Sequence, residues 1–391
     1  MKILLVSTQD YIHHPIPSRH HYIFEYLAQR HEIHVPHFHV SEGPERKTRL
    51  KVHEATKYFQ KSPAVHYALN AYHHYRVMDR IIRDEKIDII VAGNVLAGTA
   101  ALKAAKKHNI PVLLDLKDWF PDSAAIYYKN PLMKKIVHSV VYAVTKYNLK
   151  HSDRVTTVSP KLQEMVNEMG IECGMIPNGV ATDYFKPMDT MIGRNLCGID
   201  RDEFVIGFLG GIERRFELDE VIKTLPELIK YNDKTRLLIV GGSLFTDYLD
   251  ELKALTENLG LSDRVIFTGL IEHTELPKYI SAMDVCIIPL KSEEWYGISM
   301  SNKFFEYSAC AKPVLIKPAP GIMALGWDNT FVYENNEQFV ERIKYIMDNP
   351  REYAPDVSEY SWYKRADDIE KELFKLLDEK GKRLRNSTNT E

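Results

Sequence analysis

Residues 297–315, GISMSNKFFEYSACAKPVL, bring a carboxylate, a lysine and several hydroxyls to a place where a helix should begin. Upstream, Val285 to Leu290 (VCIIPL) is apolar, ends in proline and gives way to the polar loop KSEEWYG, as a buried parallel strand running into a functional loop does. Ser299 and Ser301 are N-cap residue types, and Phe304, Phe305, Tyr307, Ser308 and Ala309 continue as a short helix that Lys312-Pro313 stops. The unpaired amides and dipole of such a helix start favour a phosphate. Glu306, further along the same helix, either accepts hydrogen bonds from a ligand's vicinal hydroxyls or is an ordinary surface glutamate. A second carboxylate, Asp118 in KDWFPD, lies just past another apolar run. It either orients a hydroxyl or acts as a base, with Asp122 as the alternative, or it caps the turn before Pro121.

Positioning these groups requires strands that deliver them to one edge of a sheet. The first half alternates short β-branched runs with helical spacing, the pattern of a parallel sheet wrapped by helices. Strands are expected at Ile3 to Ser7, Ile33 to Pro36, Ile87 to Ala92, Val112 to Asp115, Val155 to Val158 and Gly174 to Ile176. Helices are expected at Arg19 to Gln29, Tyr67 to Lys86, Ala97 to His108, Pro131 to His151 and Pro160 to Met169. Residues 40–66 fit neither period and read as a long basic excursion. Residues 181–203 also lack a period and read as an interdomain linker. A second alternating series begins at Phe204 and runs past Glu306 to a helix at Asn336 to Asp348. A last helical stretch, Trp362 to Leu384, has an apolar stripe through Ile369, Leu373 and Leu376-Leu377. The expected fold is α/β: two facing, doubly wound Rossmann-like domains with a ligand cleft between them and a C-terminal helix returning to the first. The domains are expected at 1–185, joined by the returning helix 362–391, and at 186–361.

Composition narrows the function classes. Hydrophobic residues make up 45% and charged residues 27%, as in a soluble globular protein. Residues 1–185 hold 24 Lys+Arg against 18 Asp+Glu and the remainder 27 against 36, so a net charge of -3 hides a basic half and an acidic half. Residues 44–83 concentrate this, with nine Lys+Arg against three acids, interleaved with Tyr58, Phe59, Tyr67, Tyr72 and Tyr75. Such a surface fits an anionic membrane or a lipid-linked acceptor, or is a plain solvated face. No helix-turn-helix or RNP-like pattern suggests nucleic acid. The four cysteines form no CxxC pair and read as free thiols of a reducing compartment. No apolar run reaches the roughly 18–20 residues of a membrane span, and the opening MKILLVSTQD reads as a strand, so a cytoplasmic protein, peripheral on the inner membrane face, is expected. Of 16 histidines only His273 lies beyond residue 151. The adjacent pairs His13-His14, His20-His21 and His73-His74 have diverging side chains, a poor spacing for metal ligation.

Several segments together resemble the retaining glycosyltransferases of family 4, of the two-Rossmann-domain (GT-B) type. The opening MKILLVST with SRHHYIFEYLAQRHEIHV is similar to the family's first strand, loop and helix. LLDLKDWFPDSA resembles the D-x-W-P-[DE] segment of a subgroup that builds microbial cell-surface polysaccharides, and IPNGVATDYFKP the lead-in to the hinge. GFLGGIERRFELDEVI, RVIFTGLIEHTELPKYISAMDVCIIP and GISMSNKFFEYSACAKPVL resemble the donor half. The resemblance implies a nucleoside diphosphate-sugar donor, UDP-linked by expectation, and a glycan or polyprenyl-linked acceptor.

By it, Glu306 corresponds to the second Glu of the E-x(7)-E motif and binds the nucleotide ribose. The first Glu falls at Ile298, a loss shared with relatives carrying N-K-x-x-E-Y, and Asn302, Lys303 and nearby amides are the expected replacements. In the phosphate loop Arg214, then Arg215, is expected to bind the diphosphate, unless the two are simply solvated. Arg214, Lys303 and the helix start at Ser299 to Ser301 would supply the positive charge that metal-free retaining transfer needs, and Asp118 completes the catalytic set. Gly210 and Gly269 complete the donor set, with Arg19 reaching a donor or acceptor phosphate. With no H-E-x-x-H, no metal and no cofactor are expected beyond the donor itself. Two other readings remain: a sugar-nucleotide 2-epimerase of the same fold, and an inactive transferase-like scaffold.

Overall fold

The structure is a computed structural model and describes residues 1–388 apart from 15, 61, 126, 127, 129, 244, 245, 292–297 and 299. The chain forms two units, residues 1–178 with 362–391, and residues 179–361.

The first unit holds seven strands: β1 (Lys2–Val6), β2 (Glu32–His37), β3 (Lys51–Glu54), β4 (Ile89–Ala92), β5 (Val112–Leu116), β6 (Arg154–Thr157) and β7 (Gly174–Met175). They lie in the order β3-β2-β1-β4-β5-β6-β7 with every pairing parallel. Strands β4 and β5 are buried along their whole length, which is why they read as unbroken apolar runs rather than as alternation. The neighbours of β1 are β2 on one side and β4 on the other, so the connections reverse direction there. In open parallel sheets, ligands bind at the strand C-termini beside such a reversal.

The basic excursion contains an element its periodicity hides. Strand β3, KVHE, pairs with β2 from His34↔Lys51 to His37↔Glu54. As a mostly exposed edge strand it has no apolar signature. The helix that follows, Pro63–Glu85, starts four residues before the expected Tyr67 and carries proline in its first turn, where the missing N–H costs nothing.

The second unit repeats the plan with β8 (Phe204–Leu209), β9 (Thr235–Val240), β10 (Val265–Phe267), β11 (Val285–Ile288), β12 (Val314–Ile316) and β13 (Thr330–Val332). Their order is β10-β9-β8-β11-β12-β13, again all parallel, with the reversal between β8 and β11. Residues 179–185 group with this unit, where Val180 bridges Ser361. The expected linker 181–203 is partly helical, Thr190–Cys197, started by Asp189 accepting from the Met191 amide and ended by Gly198 at φ 64°. Its Gly193 lies so close to the helix Leu276–Ser281 that a Cβ would stand 2.1 Å from the Lys278 carbonyl. Arg194 beside it is buried and forked onto Asp284 at 2.8 and 3.0 Å. Its Ile192 and Leu196 are exposed while Gly193 and Arg194 are buried, so apolar spacing does not mark the docked face.

The C-terminal helix Trp362–Thr388 packs in the first unit against the helix Arg19–Leu27. Trp362 stacks on Tyr22 at 5.2 Å, and Arg154 reaches Glu372 and Glu379, each at 2.7 Å. Ile369 and Leu373 of the expected stripe are fully buried.

Candidate functional site

In the second unit the reversal between β8 and β11 is built from backbone. The loop after β8 is laced to the segment after β11: Phe216 bridges Leu290, the Lys291 amide donates to the Arg215 carbonyl at 2.9 Å, and the Glu217 amide donates to Pro289 at 2.7 Å. Gly210 ends β8 at φ 136° and Gly241 ends β9 at the same angle. A Cβ on Gly241 would lie 2.0 Å from the Gly210 carbonyl oxygen, and one on Gly210 would lie 2.2 Å from Cε of Lys303. Both positions hold backbone angles that side chains rarely adopt, and at Gly241 the facing atom is backbone, so space excludes a side chain there as well. Gly269, just past β10, joins this seam through an antiparallel bridge to Gly241.

Lys303 belongs to the helix Asn302–Ala309, which starts at the edge of this seam. Its Nζ stands 4.7 Å from the ring centre of Phe216 and 5.9 Å from that of Phe208. Burial, assisted by the like charge of Arg215, lowers its pKa to about 8. The two carboxylates whose fields favour its charge are engaged elsewhere, Glu306 with His273 and Glu213 with Arg215. At the helix start Ser301 occupies the N-cap position but its side chain makes no capping bond, and Asn302 Oδ1 is buried with no hydrogen-bond partner among the described residues. The site thus presents a cation, an uncapped helix N-terminus and an unsatisfied amide oxygen together, a ready receptor for an anion bearing hydroxyl or N–H groups.

Glu306 is buried, with Oε1 3.2 Å from Nε2 of His273, whose Nδ1 lies 3.0 Å from the Tyr184 hydroxyl. A carboxylate oriented from behind in this way is set to meet a ligand hydroxyl. His273 is a positioning residue that the sequence reading did not assign. Its isolation as the single histidine of the acidic half was the available signal.

In the loop after β8 the two arginines are engaged differently. Arg214 forms an ion pair with Glu251, lies 3.4 Å from Asp247 and packs on Tyr248, so its guanidinium is tied to the helix Tyr248–Asn258. Arg215 is the arginine whose charge acts on Lys303, and it shares the Phe216 ring with it at 5.3 Å. Ile298 is buried. Ser299 lies outside the described residues.

In the first unit the expected groups are differently placed. Arg19 is only 2% exposed and forks onto Asp115, Nε to Oδ2 at 2.8 Å and NH2 to Oδ1 at 3.2 Å, while NH1 donates to the Pro177 carbonyl at 2.8 Å. Burial alone would push the Asp115 carboxyl up, but Arg19 and His20 hold it well below the usual carboxylate range. Arg19 therefore fastens its helix to β5 and is not open to a phosphate. Asp118 accepts from the Trp119 amide at 2.8 Å and from Ser123 Oγ at 3.0 Å, so its carboxylate is engaged in the turn that enters the helix Phe120–Ala125. Asp122 pairs with His138 at 3.2 Å. The cation at this strand end is Lys117, unassigned from sequence, whose pKa burial lowers against the fields of Asp118 and Asp115. Its position directly after β5, in DLKD, was the available signal.

One surface was also missed. The helix Pro131–His151 exposes Leu132, Met133, Ile136, Val140 and Tyr147 on its outer side, with Lys134, Lys135 and Lys146 exposed among them. In the excursion, Tyr58, Phe59, Val65, Leu69 and Tyr72 are exposed as well. Among the described residues no helix is long and apolar enough to cross a membrane.

Comparison with known proteins assigns both halves. Residues 20–184 match the family model described as Glycosyltransferase Family 4, and residues 203–349 the one described as Glycosyl transferases group 1. Each half thus matches a glycosyltransferase family model of its own. It is 24% identical over 269 residues to the alpha-monoglucosyldiacylglycerol synthase of Streptococcus pneumoniae, covering 67% of this chain and 58% of that protein, less than two thirds of the relative's length. In fold it is similar to sucrose-phosphate synthase from Thermosynechococcus elongatus, with a TM-score of 0.72, 17% identity and 100% of each chain covered. It is also similar to HepE of Anabaena in complex with UDP, with a TM-score of 0.70 and 18% identity, covering 96% of this chain and 100% of that one. The structural likenesses show that the two α/β units have the GT-B fold.

The lowered pKa of Lys303 makes a stability prediction. The folded group releases its proton near pH 8 and the unfolded one near about 10.4, so between these values the unfolded chain binds more protons and this lysine's contribution to stability rises with pH. In urea titrations, wild type should gain on Lys303→Met as pH rises through that window. A pH-independent difference between the two contradicts the assigned environment.

Proposed function

We propose that this chain transfers a sugar from a nucleoside diphosphate-sugar, in the first instance a UDP-sugar, to a glycan or lipid-linked acceptor, with retention and with no metal or cofactor in the transfer step. The observation that carries the reading is the Lys303 ammonium held over the Gly210 seam at an uncapped helix N-terminus, with the oriented carboxylate of Glu306 on the same helix. A diphosphate answers the cation and the amides, and a ribose answers Glu306. HepE of Anabaena, a structural neighbour solved in complex with UDP, supports the choice of nucleotide.

Within this reading Lys303, Arg215 and the helix start hold the leaving diphosphate. As the glycosidic bond to the donor breaks, negative charge grows on the departing phosphate oxygen, where fixed cations and N–H groups stabilise it without reorganising. Asn302 turns its unsatisfied oxygen to a donor hydroxyl, taking up part of the role that an acidic residue has where this chain has Ile298. Lys117, beside Asp118, is the corresponding cation for an acceptor in the first unit. The buried, apolar Ile298 also favours a second reading, a scaffold that binds the donor without turning it over.

The reading extends to location. The apolar stripe and lysines of the helix Pro131–His151, with the basic excursion at 44–83, suit a peripheral position on an anionic membrane from which a lipid-linked acceptor is reached. The relative that is an alpha-monoglucosyldiacylglycerol synthase bears the name of a lipid-modifying enzyme, which supports this choice of acceptor.

Calorimetry against a panel of nucleoside diphosphates should show binding that Lys303→Ala weakens about 10- to 100-fold and Glu306→Ala about 10-fold, the range for losing a hydrogen bond to a charged group. No binding of any nucleoside diphosphate would sink the proposal, and binding with no sugar transfer from any donor would select the scaffold. Separately, wild type should sediment with anionic vesicles, and Ile136→Glu with Val140→Glu should release it; equal sedimentation of both would remove the membrane assignment from this helix.

A further inference from the structure

Away from the nucleotide-binding helix, the first unit gathers histidine and carboxylate side chains that the transfer chemistry does not use. Asp10 and His13 lie in the loop after β1, and His37 ends β2. Three potential ligand atoms face one another: His13 Nδ1 and His37 Nε2 are 3.1 Å apart, His37 Nε2 and Asp10 Oδ1 are 3.2 Å apart, and His13 Nδ1 and Asp10 Oδ1 are 3.8 Å apart. A tetrahedral zinc site with metal–nitrogen bonds of about 2.0–2.1 Å has ligand–ligand edges of roughly 3.3 Å, so the triangle is already near the size such an ion requires.

The surroundings prepare these atoms as lone-pair donors. The other ring nitrogen of His37, Nδ1, lies 3.0 Å from Oε2 of Glu54 on β3, the carboxylate–histidine arrangement that orients metal-bound imidazoles. With Nδ1 set against Glu54, His37 aims Nε2 at the Asp10 carboxylate and at His13, and an ion bound there takes the place of the proton that Nε2 otherwise shares with Asp10. Asp10 is fully buried and held by four backbone amides, Ile12 and His13 on Oδ1 and Val40 and Ser41 on Oδ2. A single proton bridges only one pair of these three atoms, whereas one cation satisfies all three. Two carboxylates, Asp10 and Glu54, balance the charge of a divalent ion. Mixed imidazole and carboxylate ligands suit zinc and its neighbours better than calcium or magnesium.

We infer that Asp10, His13 and His37 form a binding site for a zinc-type divalent transition-metal ion, oriented by Glu54 and completed by water. The ion fastens the loop after β1 to the edge formed by β2 and β3. The role is structural: it sets the loop, and the transfer step does not pass through the metal. A second group, His34, His53 and Glu85, lies on the same edge but is looser, with His34 Nδ1 2.9 Å from His53 Nε2 and Glu85 standing 4.0 Å from His34 Nε2.

The test uses the full chain, stripped with a chelator and titrated with Zn2+ against a competing chromophoric chelator, and with Co2+ followed by visible absorption. One equivalent should bind wild type and raise its melting temperature. His13→Gln and His37→Gln should each weaken binding by at least about 100-fold, and Glu54→Gln by about 10- to 100-fold, while His53→Gln should bind as wild type does. His13 is partly exposed, so its variant is expected to fold and keeps the test valid if His37→Gln does not. No stoichiometric binding of either ion to wild type overturns the inference. Unchanged affinity in His13→Gln, or loss in His53→Gln alone, also overturns it.

Discussion

The candidate site of the second unit depends on one constraint, an ammonium group held in a half-buried place without a carboxylate of its own. Lys303 is fixed there by contact: its side chain covers Gly210, its Nζ lies against Phe216, and its closest acidic neighbours are committed to His273 and Arg215. The depressed pKa is the physical cost of that arrangement. An anion arriving at the helix start relieves it. The uncapped Ser301 and the unsatisfied Asn302 stand at that same helix start.

The rest of each unit is a frame that sets loops at strand ends. Two buried arginines share this work. Arg19 fastens the first helix of the chain to β5 through Asp115, and Arg194 fastens the short helix Thr190–Cys197 through Asp284. Removing one partner of such a pair leaves a buried charge uncompensated, at a cost of about 3–5 kcal/mol, so neither arginine is free for ligand work. The surface arginine Arg214 is a milder case, since its ion pair with Glu251 is half exposed and screened.

The two-unit α/β architecture was legible because buried parallel strands such as IIVA and VLLDL are apolar without interruption, and because IPNGV marks the crossing from one series to the next. The returning helix was legible from its stripe through Ile369 and Leu373. Strand β3 and the helix Thr190–Cys197 were not, since each is held by hydrogen bonds and one or two close contacts rather than by an apolar face. In the site, Lys303 and Glu306 share one helix and could be read together. The choice between Arg214 and Arg215 could not, because it turns on Glu251, which lies 37 residues away. Arg19 and Asp118 show the same limit: a charged residue at a strand end looks the same in sequence whether it meets a ligand, an ion-pair partner or the turn that follows it. Asp10, His13 and His37 were illegible for a related reason, since they converge only once β1 and β2 are paired.

The central claim is that the nucleotide diphosphate sits on the seam after β8 and on the start of the helix Asn302–Ala309. Hydrogen exchange of the full chain with and without UDP tests it directly, because diphosphate oxygens that take up backbone amides slow the exchange of those amides. The account predicts slowed exchange at residues 210–212 and 302–306 on adding UDP, diminished in Lys303→Ala. UDP binding that leaves both segments unchanged and protects another part of the chain would contradict it.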